Sequence, residues 1–278
     1  MAKQLKLRNY ALEIGKRTLI MGILNITPDS FSGDGIYADP KKAVACALRM
    51  VKEGASIIDI GGESSRPGSQ PVNAKEELDR VVPVVKGLVE RNIPISVDTY
   101  KPEVAREALE LGANMINDIT GLTNPKMAGL IADHEAGIVI MHMKGEPKTM
   151  QNNPIYEHGV MEEVKIFLTS QISVAEDAGI DPESIVIDPG IGFGKTLNHN
   201  LEIIRNLASL KDLSKPVMVG PSRKSFIGKI LDLPVDQRLE GTLATIVASA
   251  INGADIVRVH DVPESNQALT ITDTIFRS

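Results

Sequence analysis

Near the C-terminal end of the chain, "VRVHDV" sets Arg258 and His260 two residues apart in an apolar run. In extended backbone such residues share a face, so both project away from Val257 and Val259. A guanidinium offers paired donors and a protonated imidazole adds another, a combination suited to an anionic group such as phosphate. The competing reading pairs Arg258 with Asp255 or Asp261 and leaves His260 a satisfied structural group. Asp98, Asp118 and Asp188 close other apolar runs, with Asn117 beside Asp118. Carboxylates there match adjacent N–H donors on the edge of a nitrogen heterocycle. They could also ligate a metal. A transition-metal site normally clusters His or Cys, however, and of the five histidines only His142 and His260 end such runs. His134, His158 and His199 fall in helical patterns or at their starts.

The stretch "IDPGIGFGKT" looks at first like a phosphate-cradling loop. A P-loop would need glycine where Pro189 stands, and a dinucleotide fingerprint begun at Gly190 would need glycine where Lys195 stands. Proline cannot donate a backbone N–H. The stretch is instead expected to end a strand at Asp188 and turn sharply, so that Phe193 and Lys195 border a pocket.

These residues need a frame, and the chain repeats one. Eight short β-rich apolar runs, at 19–27, 56–62, 94–99, 114–120, 137–143, 184–190, 216–222 and 255–261, alternate with segments of helical periodicity such as "DPKKAVACALRMVKEGA". Eight βα units match a closed (β/α)₈ TIM barrel of about the usual 250 residues better than the alternative, an open doubly wound sheet. The opening "KQLKLRNYALEIGKR" reads as a short N-terminal hairpin capping the barrel, or as a tail. No linker or low-complexity segment divides residues 1–278, which are expected to form a single domain. In this fold function sits in the loops after the strands, and the unusual residues concentrate there. Phe31, Phe193 and Phe226, three of only five phenylalanines, fall in those loops, as do Ser65, Arg66, Arg223 and Lys224. The first two loops, "NITPDSFSGDG" and "GGESSRPGSQPVN", are long for βα connections and suit lids.

Composition narrows the class. A formal charge of −6 with 42% hydrophobic and 24% charged residues belongs to a globular protein without a general affinity for nucleic acid or membrane. No apolar stretch reaches membrane-spanning length and the N-terminus lacks a signal-peptide pattern, so a cytoplasmic location is expected. The single cysteine, Cys46, lies in an Ala-rich helical pattern and is expected to be a small buried thiol.

Taken together and in order, "LNITPDSFS", "GGESSRPG", "SVDTYKP", "IND", "DPGIGFGK", "SRKSFIG" and "VRVHDV" closely resemble the dihydropteroate synthase family, from about Leu19 to Val262. The resemblance implies a (β/α)₈ barrel, a homodimer, and condensation of 6-hydroxymethyl-7,8-dihydropterin diphosphate with p-aminobenzoate to 7,8-dihydropteroate and pyrophosphate. It implies that Asp98, Asn117, Asp188 and Lys224 hold the pterin, with Arg258 alongside. Asn25, Arg66, Arg258 and His260 would hold the diphosphate, Asn25 also serving as a Mg²⁺ ligand. Ser65, Pro67, Phe193, Lys224 and Ser225 would bind p-aminobenzoate, where sulfonamides compete. Asp98, Lys224, Arg258 and His260 are the implied catalytic set, in an SN1-like cleavage of the C–O bond that needs no protein nucleophile.

Two positions depart from the family pattern. "FSGDG" replaces F-S-D-G-G, moving a carboxylate to Asp34, and "ESSRP" replaces E-S-T-R-P, keeping a hydroxyl at Ser65. Two rivals remain: a pterin-dependent methyltransferase on the same barrel, which should lack the "SRPG" and "SRKSF" loops, and a noncatalytic pterin-binding barrel, which should have lost Asn25, Lys224, Arg258 or His260.

Overall fold

The computed structural model describes residues 3–27, 39–64, 69–146 and 149–277. Phe31, Asp34, Ser65, Arg66 and Pro67 lie outside the described residues. Eight parallel strands form one sheet: β3 (Leu19–Asn25), β4 (Ile57–Gly61), β5 (Ile95–Asp98), β6 (Met115–Asp118), β7 (Gly137–Met141), β8 (Ile185–Asp188), β9 (Met218–Val219) and β10 (Ile256–Val259). Neighbours pair in chain order from β3 to β8, and β10 joins β3 to β9. A parallel bridge between Ile187 and Val217, with Ile187 N–H donating to Pro216 at 3.0 Å, closes the ring. The barrel expected from the βα period is therefore present. Its strands are shorter than the apolar runs that signal them, and the polar residues Asn25, Asp98, Asp118 and Asp188 form the last rungs of their ladders.

Helices alternate with these strands: α1 (Pro40–Lys52), α2 (Ala74–Val89), α3 (Pro102–Leu111), α4 (Pro125–Asp133), α5 (Val160–Asp177), α6 (Leu197–Arg205), α7 (Ser225–Leu231), α8 (Leu239–Ile251) and α9 (Val262–Phe276). Their starts are written locally. Asp39, Asn73 and Asn124 cap α1, α2 and α4 by accepting backbone N–H groups, and Thr196 forms a reciprocal capping box with His199 on α6. His199 is thus a cap residue, as its position at a helix start suggests. Cys46 is half-buried on α1 rather than buried, its sulfur 3.5 Å from the Arg49 guanidinium, because its side of the helix lies at the edge of the packed stripe.

Alternation along the strands makes two cores. Outward residues such as Ile58, Val97, Ile116, Ile138, Ile187 and Val257 pack under the helices. Inward residues at the lower end, Met21, Ile57, Met115, Val139, Val186, Met218 and Ile256, fill the barrel. An antiparallel hairpin, β1 (Lys3–Leu7) and β2 (Tyr10–Ile14), plugs that end with Leu5, Leu7 and Ile14. Leu5 and Leu7 are fully buried, so the N-terminal segment is a cap and not a tail. Burial of each such side chain contributes about 1.5–3 kcal/mol. Above this apolar floor the inward positions turn polar.

Candidate active site

Strand register assembles the upper layer. Asn25, Gly61, Asp98 and Asn117 are lateral partners across β3, β4, β5 and β6, so their inward faces form one row at the C-terminal mouth. Asp188 on β8 and Arg258 on β10 face the same space. They line a cavity of about 360 Å³ together with Phe193, Lys224, Ser225 and His260. With Arg223, ten of the residues singled out in the sequence therefore meet in one place.

Polar contacts organise the cavity. Arg258 donates from Nε to Asp59 Oδ2 at 2.6 Å and from Nη2 to Asp98 Oδ2 at 2.7 Å. It does not pair with Asp255 or Asp261: Asp255 takes Lys211 and the Val217 N–H, and Asp261 takes Arg223. His260 Nδ1 lies 2.9 Å from Ser222 Oγ, which fixes the ring at the mouth. Asp188 Oδ1 accepts the Gly190 N–H at 2.7 Å. Lys224 reaches across to the Ile191 carbonyl, and its ammonium sits 4.4 Å from the centroid of the Phe193 ring.

The loop after β8 makes that placement possible. Gly190 and Gly192 have φ of +71° and +82°, where L side chains are strained. A Cβ on Gly192 would lie 2.8 Å from Lys224 Cδ, so only glycine lets the lysine stem pass. The loop is pinned from beneath by Lys195, which is buried and bonds His142 Nδ1, at 2.9 Å, and the Phe193 carbonyl, also at 2.9 Å. Lys195 does not border the cavity as its sequence position suggests. Its ammonium finds better acceptors underneath.

Two further expectations need correction. Asp118 is fully buried on the opposite face from Asn117, and it accepts hydrogen bonds from the Thr120 and Leu122 backbones and the Thr120 hydroxyl. It shapes the turn and does not face a heterocycle. Phe226 is buried in the core between barrel and helices, because α7 begins at Ser225 and turns the ring inward. Arg223 lines the cavity, but its guanidinium is held by Asp261.

Burial governs the electrostatics. Desolvation pushes the Asp98 carboxyl up to about 7; Arg258 opposes that rise, while Asp59, Glu77 and Asp118 add to it. Burial brings the Lys224 ammonium down to about 8, with Asp188 holding it up. Asp188 is likewise raised by burial and restrained chiefly by Lys224. Burial works against the Arg258 charge, yet Asp59 and Asp98 outweigh it and raise its pKa. One carboxylate, Asp98, and one ammonium, Lys224, are thus displaced toward neutrality from opposite sides.

Three residues went unnoticed in the sequence. Asp59 is the central carboxylate beneath Arg258, Glu63 lines the cavity while accepting from Tyr100 and Lys101, and Arg238 lines it while donating to the Arg223 carbonyl. An aspartate inside "SIIDIGG" was a visible signal, since a charge within a fully apolar strand needs a partner.

Among the described residues no group of three or more His, Cys, Asp or Glu could hold a metal ion. Asn25 Oδ1 lies 3.3 Å from where a Cβ on Gly61 would stand, so the missing side chain leaves that oxygen approachable. This donor set fits a hard cation that brings most of its ligands as phosphate and water oxygens.

The pterin binding enzyme family matches residues 21–260. A dihydropteroate synthase of Synechocystis is 49% identical over 266 residues, covering 95% of this chain and 92% of its own. The Yersinia pestis dihydropteroate synthase in complex with a sulfonamide drug superposes with a TM-score of 0.93 at 42% identity, covering 98% of both chains. That of Clostridium difficile, crystallised in the presence of pteroic acid, superposes with a TM-score of 0.89 at 48% identity, covering 96% of this chain and all of the other. A barrel whose mouth carries this polar row, matched over nearly its whole length, belongs to the dihydropteroate synthase branch of the pterin-binding enzyme family.

Proposed function

We propose that the cavity condenses 6-hydroxymethyl-7,8-dihydropterin diphosphate with p-aminobenzoate, releasing pyrophosphate and 7,8-dihydropteroate. The observation that supports this most is the division of the cavity: acceptors Asp98, Asn117 and Asp188 on the barrel strands, cations Lys224 and Arg258 with His260 toward the mouth. A pterin edge presents N–H donors to the carboxylates and a carbonyl to Lys224, while the diphosphate takes Asn25, Arg258 and His260, and Arg66 would add a further donor to it.

Chemistry then requires no nucleophile from the protein. Breaking the methylene C–O bond sends the electron pair to the diphosphate, and Arg258 and His260 stabilise the charge developing there. Asp98, when ionised, offsets positive charge spreading from the methylene into the pterin. The arylamine nitrogen attacks that carbon and loses a proton to form the C–N bond. Phe193 and Ser225, with Ser65 and Pro67, would hold p-aminobenzoate beside Lys224, and sulfonamides would compete at that end. Mg²⁺ held by Asn25 and the diphosphate would supply further charge neutralisation on the leaving group.

We extend the reading to a cytoplasmic homodimer. No helix among the described residues is long and apolar enough to cross a membrane, and Ile271, Ile275 and Phe276 leave an apolar stripe exposed on α9. Light scattering tests the dimer. Pyrophosphate release on mixing the protein with dihydropterin diphosphate and Mg²⁺ tests the activity. Release that depends on p-aminobenzoate is expected, and tight pterin binding without release would favour the noncatalytic barrel.

A further inference from the structure

Asp59 stands on β4 one rung below the polar row, with Ile23 and Ser96 as lateral partners. It is fully buried. One of its oxygens, Oδ2, accepts from both Arg258 Nε at 2.6 Å and Asn117 Nδ2 at 3.0 Å. The other, Oδ1, has no hydrogen-bond partner among the described residues, and neither does Ser96 Oγ on the same rung of β5. A half-satisfied carboxylate in a barrel interior costs stability, and an apolar side chain at this rung would pack against Ile57 and Met21 without that cost. What the position does must therefore be sought in the two groups that Oδ2 holds.

Both groups are left with one polarity toward the cavity. A carboxylate only accepts, so Asn117 must turn its NH₂ down to Asp59 and its carbonyl oxygen away from it. A ligand above meets an acceptor. Arg258, tied by Nε, points its Nη edge at Asp98 and the cavity mouth, where two parallel donors suit a phosphate oxygen pair. We propose that Asp59 is a positioning residue that, through Oδ2 alone, sets Asn117 to accept from the pterin and Arg258 to donate to the diphosphate, so coupling the two ends of the substrate. This rests on the synthase reading above.

An asparagine at position 59 would reverse the arrangement. It could donate to Asn117, letting that carboxamide turn its NH₂ to the ligand, and it removes the charge partner of Arg258. It also removes one of the negative charges around Asp98. The charged groups that act on Asp98 are the Arg258 cation from β10 and the carboxyls of Asp59 from β4, Glu77 from α2 and, from the far face of β6, Asp118, while Asp98 in turn acts on the Lys224 ammonium beside Asp188.

The test measures pyrophosphate release by full-length Asp59→Asn and Asp59→Ser proteins beside the unmodified protein, across pH, together with equilibrium binding of pyrophosphate and of 6-hydroxymethyl-7,8-dihydropterin. The expected result is a loss of about tenfold or more in kcat/KM for the diphosphate and in affinity for both pterin and pyrophosphate. The KM for p-aminobenzoate should stay within about twofold, and the acidic limb of the pH profile should move to lower pH. A residue serving stability alone would lower the melting temperature and leave that limb and the substrate split in place. Folded variants whose pterin affinity and pH profile match the unmodified protein would overturn the proposal. So would failure of both variants to fold, which would assign Asp59 to stability. Absence of turnover in the unmodified protein would instead strike the synthase reading itself.

Discussion

The ammonium of Lys224 lies 4.4 Å from the centre of the Phe193 ring while the same lysine reaches the Ile191 carbonyl, so one loop fixes both a cation and the aromatic wall beside it. Phe193 packs with Ile119, Met141 and Met150 in a small buried cluster that also lines the cavity, so its ring forms part of the wall. Phe193→Leu removes the flat face and its cation–π contact, together worth about 1–2 kcal/mol. The expected outcome is a KM for p-aminobenzoate raised about tenfold, with binding of dihydropterin diphosphate unchanged, read from steady-state kinetics in each substrate.

Arg258 bridges Asp59 and Asp98 with two nitrogens of one planar group. A lysine keeps the charge but cannot span both carboxylates and still present donors to the diphosphate. Arg258→Lys should lower kcat/KM for dihydropterin diphosphate by about 10²-fold or more, the range for losing a preorganised donor to developing charge. Unchanged pyrophosphate release would remove Arg258 from the diphosphate site.

The pH dependence follows from two groups displaced toward neutrality. Asp98 offsets the pterin charge only when ionised, and its carboxyl is pushed up to about 7, so activity falls as pH drops through that value. Lys224 acts as a cation only when protonated, and burial brings it down to about 8, so activity falls again as pH rises through that value. A narrow bell in kcat/KM is expected, and Lys224→Arg should remove its basic limb.

Gly190 is the tightest point of the loop after β8. A Cβ there would sit 1.8 Å from the His142 carbonyl oxygen at a φ of +71°. Gly190→Ala must displace backbone on one side or the other and is expected to destabilise by roughly 3 kcal/mol or more. For a chain of this length that lowers Tm by roughly 6 °C or more, measurable by calorimetry.

Metal removal should separate chemistry from folding. Because no group of three or more potential side-chain ligands exists among the described residues, the fold owes nothing to a metal cluster there. Excess chelator is expected to abolish pyrophosphate release and leave Tm within about 1 °C of the untreated protein. A large fall in Tm would reveal a structural ion.

Much of this protein is legible along the chain itself. The βα period, the helix caps at Asp39, Asn73 and Thr196, and the polar residues ending each apolar run are local signals, since each depends on a spacing of a few residues. They determine a barrel, a functional end and the residue types gathered there. Local alternation even separates Arg258 and His260 from their valine neighbours. It also places Asn117 and Asp118 on opposite faces, and reading both as heterocycle acceptors overlooked that.

Tertiary structure decided what depends on register between strands distant in sequence. Only the closed ring brings Asp59 within 2.6 Å of Arg258, a pair separated by 199 residues, and only the packing of the loop after β8 sends Lys195 under the site while Lys224 enters it. Phe226, read as a loop residue, turns into the core because the helix begins one residue earlier. A side chain's type declares what chemistry it can perform. Whether it performs that chemistry in the cavity or beneath it is set by which partners the fold places within hydrogen-bond reach.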